Sequence, residues 1–241
     1  MRQLPPRQDL PEDVSNHLSQ ETAAIKRAAN PKEEAARRYA KARAMKAPGD
    51  KWFKDVIDAL RNLAGSGECC MYCSRNESSQ VEHFYPKGIY PERAMTWENF
   101  LWACGICNHQ KGEQFPLDYL LINPLDENVW MFFFIDEYGN LTPRWRTDLD
   151  DFDPRAAKTR EVLGLDGQIL QESRQARLLD LRKRVADSLR LFRLGDLDQE
   201  ALRERLEEWL KQPFQPDVAD YFFNGPGRSD SPFTEYLSLL D

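Results

Sequence analysis

The sequence predicts an α+β fold: a mostly α-helical protein with a small β-hairpin and a cysteine-stapled, metal-binding insert. Three observations predict it. Apolar residues recur at helical spacing before residue 65 and again after residue 153. A phenylalanine-rich run, Phe132 to Ile135, is followed by the turn Asp136-Glu-Tyr-Gly-Asn140 and a returning segment, Leu141 to Trp145. All five cysteines fall between Cys69 and Cys107, and four of them form two C-x-x-C pairs.

The elements follow in chain order within three regions: a helical region over 1–68, a cysteine-bearing core over 69–125, and a hairpin-plus-helices region over 126–241. Asn30-Pro31-Lys32-Glu33 is a helix-opening signal, with Asn at the cap, Pro in the first turn and Glu three positions on. The helix it opens runs to about Met45. A second helix starts near Lys51, aligns Trp52, Val56, Leu60 and Leu63 on one face, and stops at Gly65. Beyond the hairpin, Asp153-Pro154 opens a short helix to about Leu163. A long helix over about 168–193 repeats Leu170, Leu178, Leu181, Val185 and Leu189, and another over about 198–211 carries Leu202, Leu206, Trp209 and Leu210. The tail from Pro213 holds Tyr221, Phe222, Phe223, Phe233 and Tyr236, which pack onto the body or onto a partner.

Charge excludes one broad class. Lys plus Arg number 33 against 40 Asp plus Glu, a net charge of −7, so this is not a general polycation that coats nucleic acid by counterion release. Basic charge is local: from Lys26 to Lys54 ten Lys and Arg face three acids. That stretch is either a solvated helix face or a phosphate-contact surface, and residue types do not separate the two. The longest apolar run, Val129 to Ile135, is far below the roughly 20 residues that span a bilayer. The first residues carry no apolar stretch of the secretory kind. A cytoplasmic, membrane-free protein with reduced thiols is expected.

Cys70-Met-Tyr-Cys73 and Cys104-Gly-Ile-Cys107 supply four thiolates from two tight turns, the donor set of a closed, tetrahedral, structural Zn²⁺ site. A redox dithiol needs only one pair, and four sulfurs leave no open position for chemistry at the metal. Cys69 is the odd cysteine, either a bystander or a substitute for Cys70. His17, outside any cluster, reads as structural.

Between and after the pairs stand Glu82-His83, Asn99 in Trp97-Glu-Asn-Phe100, and Cys107-Asn108-His109-Gln110-Lys111-Gly112. In this order they resemble the HNH endonucleases of the His-Me finger (ββα-metal) superfamily. The resemblance implies a zinc-stapled ββα-metal finger embedded in the helical protein. It implies His83 as general base and Asn99 as the residue that orients the loop carrying it. It implies Glu82 and Asn108 as ligands of a catalytic Mg²⁺ or Mn²⁺, with His109 as the rival for the helix-side ligand. The chemistry suits those residue types: a neutral imidazole accepts a proton near pH 7, and hard oxygen donors suit a cation that keeps positions open for phosphate. Lys87 and Lys111 are candidate phosphate contacts or simply solvated.

A narrower resemblance rests on Glu82-His83-Phe84-x-Pro86-Lys87, Tyr90-Pro91-Glu92, Lys111-Gly112-x-x-Phe115-Pro116, Asn123-Pro124-Leu125-Asp126 and Thr159-x-x-x-Leu163-Gly164-Leu165. These are similar to the PtuB group of HNH proteins found in Septu and retron-associated antiphage systems. That implies a nuclease effector acting on DNA, with RNA as the second substrate class, together with a PtuA-like ABC-type ATPase partner. Two other readings stand beside it: a stand-alone restriction-type HNH endonuclease, and a zinc-stabilised nucleic-acid-binding adaptor with a lapsed site.

Overall fold

The computed structural model describes the chain except residues 45–51, 66, 77, 116–119, 212–215 and 241. Among the described residues it is mostly helical, with three small antiparallel two-stranded sheets. Helix α1 (Glu12–Arg27) packs against α2 (Pro31–Ala44) and α3 (Trp52–Ala64). The expected cap of α2 is present, with Asn30 Oδ1 accepting from the Glu33 amide at 3.4 Å. Met45, Lys46 and Lys51, which bear on the ends of α2 and α3 and on the basic stretch, lie outside the described residues, as do Pro116 and Pro213. Gly65 follows α3 at φ +79°, the left-handed conformation that ends helices and favours glycine. His17 stacks on Trp52 at 5.7 Å between ring centres, a packing role.

Strand β1 (Ser78–His83) pairs with β2 (Phe100–Cys104), setting Glu82 opposite Leu101 and His83 opposite Phe100. Helix α4 (Gly105–Lys111) leaves β2 directly, with Cys104 as its N-cap. This is a ββα finger with a buried four-cysteine cluster at one end. Its β2 is buried at all five positions, against α3 on one side.

The expected hairpin forms as β3 (Phe133–Ile135) and β4 (Leu141–Pro143), in register Ile135 to Leu141. Asp136 Oδ1 accepts from the amides of Tyr138 and Asn140, which ties the turn. Gly139 sits at φ +80°, and a Cβ there would lie 2.5 Å from the backbone of Gln171, so a larger residue is excluded twice over. The returning strand is shorter than the sequence reading. It ends at Pro143, and Trp145 belongs to a second hairpin of β5 (Trp145–Arg146) and β6 (Asp151–Phe152). Strands of two residues carry no readable alternation.

Helix α5 (Pro154–Val162) is capped by Asp153, whose Oδ1 accepts from the Ala156 amide at 2.9 Å. In α6 (Gln168–Arg193) the five expected apolar residues are all buried. Helix α7 (Gln199–Lys211) buries Leu202 and Trp209, with Leu206 and Leu210 packed against the same core. The tail forms α8 (Pro216–Phe223) and α9 (Phe233–Ser238), and its aromatics fold onto the body: Phe222 stacks on Phe233 at 4.5 Å and Trp209 on Phe223 at 6.0 Å.

One hydrophobic core runs through residues from all three sequence regions. The first residues help join them. Arg2 donates to the Ala64 carbonyl, while Gln3 donates its amide to Asp220 and accepts from that of Val129. Among the described residues no helix is long and apolar enough to cross a membrane.

Candidate active site and zinc centre

The sulfur end of the finger is set by two turns. After the first pair, Ser74 adopts φ +63° and donates its amide to the Cys70 carbonyl at 2.8 Å, closing a tight knuckle. At the second, the Cys104 sulfur accepts from the Cys107 amide at 3.4 Å. Cys70, Cys73, Cys104 and Cys107 are all buried, and their ligand atoms lie within 4.8 Å of one another. Four thiolates this close repel unless a cation sits among them, and the set fits a structural Zn²⁺. Cys69 is buried outside the cluster, so Cys70 is the member that belongs to the set.

At the other end of β1 a cleft of about 530 Å³ opens between the finger and helices α2 and α3. Glu82, His83, Asn108 and Lys87 all line it, with Tyr39 and Arg43 contributed by α2. The finger thus gathers residues spread over 70 sequence positions at one surface. His109 is exposed on α4 and does not line the cleft.

His83 is 5 % exposed and held on three sides. Tyr39 meets its ring edge-on at 4.5 Å, Phe100 at 5.4 Å, and Nε2 lies 2.9 Å from the Ala94 carbonyl oxygen. A carbonyl only accepts, so Nε2 carries the proton and Nδ1 holds the lone pair of the neutral ring. Burial drives the imidazole pKa down to about 3; the Ala94 contact opposes that fall and the charges of Lys87 and Lys111 add to it. The ring is therefore neutral at physiological pH.

Asn99 is 1 % exposed and makes three hydrogen bonds to the connecting loop. Its Oδ1 accepts from the Tyr85 amide at 2.6 Å, and its Nδ2 donates to the Tyr85 and Arg93 carbonyls at 3.0 and 2.9 Å. It pins both ends of the loop that delivers Ala94 to His83.

Asn108 is half-buried, and its Nδ2 donates to Gln80 Oε1 at 2.6 Å. With the nitrogen so engaged, Oδ1 is the atom left for another partner. Glu82 is 4 % exposed, and its Oε1 lies 2.6 Å from Lys111 Nζ. Burial raises the carboxyl above its ordinary range, and the ammonium offsets only part of that.

Lys111 is not at the surface, where a phosphate contact would need it. It is fully buried and also donates to the His83 carbonyl at 2.8 Å. Lys87 is half-buried, its ammonium 5.6 Å from the centre of the Tyr39 ring, on the cleft wall. Of the basic stretch before it, Arg37 and Arg38 turn to Glu34 and Glu21, whereas Arg43 lies 5.8 Å from the Tyr39 ring at the cleft.

Three contributors escaped the sequence reading. Tyr39 approaches from 44 positions away and has no local signature. Gln80 reads as an ordinary strand residue. The Ala94 carbonyl is backbone and carries no residue-type signal.

No family model matches this chain. A ββα finger with a buried four-cysteine cluster and a histidine-lined cleft is the class of architecture the geometry defines. The Septu protein PtuB of Bacillus thuringiensis is 36% identical to the chain over 78 residues, which is 30% of this chain and 30% of that protein's length. The likeness therefore spans less than a third of either molecule.

Proposed function

We propose that this chain is a metal-dependent HNH endonuclease that hydrolyses phosphodiester bonds of nucleic acid, DNA first among them. We read it as the nuclease component of a Septu-type antiphage system that works with an ABC-type ATPase. The observation that carries the activity is the state of His83: a neutral imidazole with Nε2 committed to Ala94 and Nδ1 left as acceptor, in one cleft with Glu82 and Asn108. The likeness to PtuB supports the defence setting.

In this reading His83 Nδ1 takes a proton from water as the water oxygen bonds to phosphorus. The phosphorus–oxygen ester bond on the far side breaks, and its oxygen leaves with the electron pair. Asn99 keeps the base in place through the loop. Glu82 and the free Oδ1 of Asn108 are the oxygen donors suited to Mg²⁺ or Mn²⁺, which when bound supplies neutralisation of the charge building on phosphate and leaving group. Arg43 and Lys87 give the cleft wall the positive charge that an acidic protein otherwise lacks, where a phosphodiester would lie.

The test is cleavage of plasmid DNA by the full chain with Mg²⁺ or Mn²⁺, alone and with its ATPase. His83→Ala should lose about 10²- to 10⁴-fold in rate, the usual contribution of a general base. Equal cleavage by His83→Ala, or none by any preparation with the ATPase present, removes the nuclease reading.

A further inference from the structure

Glu82, on the cleft wall, is paired with a lysine that is out of place for a surface role. Lys111 is the last residue of α4, where lysines ordinarily point to water. Here its side chain is fully buried, and Nζ makes two contacts on adjacent residues of β1: Glu82 Oε1 at 2.6 Å and the His83 carbonyl at 2.8 Å. Asn108 stands one turn earlier on the same helix and lines the cleft that Glu82 lines. The ammonium thus sits against the carboxylate that, with Asn108, forms the oxygen donor set.

We propose that Lys111 is a resident counter-cation. It neutralises and positions Glu82 while no divalent ion is bound, and an ion entering the cleft must share or take the carboxylate from it. The proposal rests on the nuclease reading only in taking the cleft as the divalent site. Three physical points support it. A carboxylate buried this deeply is costly to leave without a counter-charge, and Nζ at 2.6 Å supplies one. Lysine is a point charge on a flexible four-carbon stem, so its head can withdraw without moving α4, which the planar arginine fork does less readily. The second contact, to the His83 carbonyl, ties the strand that carries the base to the helix that carries Asn108, so the geometry is set before any ion arrives. Lys111 is therefore a positioning residue, acting through Glu82 and the β1 backbone.

The experiment is Mn²⁺ binding to the zinc-loaded full chain, followed by isothermal titration and by the electron paramagnetic resonance signal of free Mn²⁺. Lys111→Met and Lys111→Gln remove the competing charge. Both should bind Mn²⁺ about 10-fold or more tightly than wild type, and Mn²⁺ should raise their melting temperature more than it raises that of wild type. Adding Glu82→Gln to either variant should erase the gain. The glutamine variant keeps a donor toward His83, so it serves if the methionine variant fails to fold; circular dichroism decides that. Unchanged or weaker Mn²⁺ binding by a folded Lys111 variant overturns the proposal, as does a gain that survives Glu82→Gln. Tighter, Glu82-dependent binding in a protein that cuts no DNA would keep this inference and remove the nuclease reading instead.

Discussion

Two buried ion pairs look alike and behave differently. In the finger, Glu82 meets Lys111 at 2.6 Å; in the helical body, Asp217 meets Arg174 at 3.0 Å, and all four side chains are at most 5 % exposed. Yet the carboxyl of Glu82 is raised and that of Asp217 is lowered. Burial acts upward on both. At Asp217 it is overcome by the amino terminus, 3.5 Å away, and by Arg174. Burial also pulls the amino group's own pKa down, and the Arg174 guanidinium supplies the second positive charge at 3.0 Å. Arg174 is further fixed by donating Nη1 to the Leu165 carbonyl at 3.1 Å. Glu82 has one ammonium in contact, that of Lys111, and lines a cleft. Asp217 thus has two positively charged partners in contact, and Glu82 has one.

The comparison fails at its root if the finger does not stand, and the largest expected effect is there. Structural zinc sites contribute on the order of 10 kcal/mol or more of folding free energy, and Cys104 is both a member of the cluster and the cap of α4. Cys104→Ser should lose bound zinc by elemental analysis and lower the melting temperature by tens of degrees or prevent soluble expression. Cys69→Ser, changing the cysteine outside the cluster, should keep its zinc. Equal zinc loss in the two variants would break the assignment of the four ligands.

The next effect separates the two pairs. Asp217→Asn leaves Arg174 buried without its counter-charge, a change that typically costs about 3 to 5 kcal/mol in urea unfolding. Its pH dependence follows from the sign of the shift. A carboxyl whose folded pKa is depressed adds stability that is complete above its unfolded value, near the ordinary 3.8, and is lost as pH falls through the lower folded value. Wild type should therefore lose stability below about pH 4 from this group, and Asp217→Asn should show a flatter acid limb. An unchanged acid limb in the variant would mean that Asp217 is not a depressed group and that the contrast with Glu82 is not real.

How much of this was legible beforehand differs between the same two regions. The finger was readable because its chemistry is written in neighbouring residues: a C-x-x-C turn aims two sulfurs by itself. The starts of α2 and α5 in the helical body were readable for the same reason, their caps being set within three positions. The resemblance then supplied the order of Glu82, His83, Asn99 and Asn108. What stayed hidden were contacts between distant segments. A lysine in the last turn of a helix reads as solvated, and only packing of α4 on β1 buries Lys111. Arg174 sits among polar residues of an amphipathic helix, and nothing local announces Asp217 as its partner 43 positions on. The aromatic tail was readable as a packing surface, but whether it covered the body or another molecule depended on α6 and α7 being near.

The smallest effect, that of a single hydroxyl, is expected at Tyr39. Tyr39 reaches His83 with its ring and donates its hydroxyl to the Val81 carbonyl at 2.9 Å, and burial pushes its phenol up to about 12, so it stays a neutral donor. Tyr39→Phe keeps the ring against the imidazole and removes only that bond, a loss of about 0.5 to 1.5 kcal/mol. Tyr39→Ala removes the ring as well and leaves a cavity beside His83, at about 3 to 5 kcal/mol for an aromatic truncated to alanine. If the ring is what holds His83, the phenylalanine variant should cut nucleic acid within a few-fold of wild type, and the alanine variant should lose rate even at temperatures where it is fully folded. Equal rates in the folded alanine and phenylalanine variants would show that Ala94 and Asn99 alone orient the His83 ring, and that α2 contributes only charge, through Arg43, to this wall of the cleft.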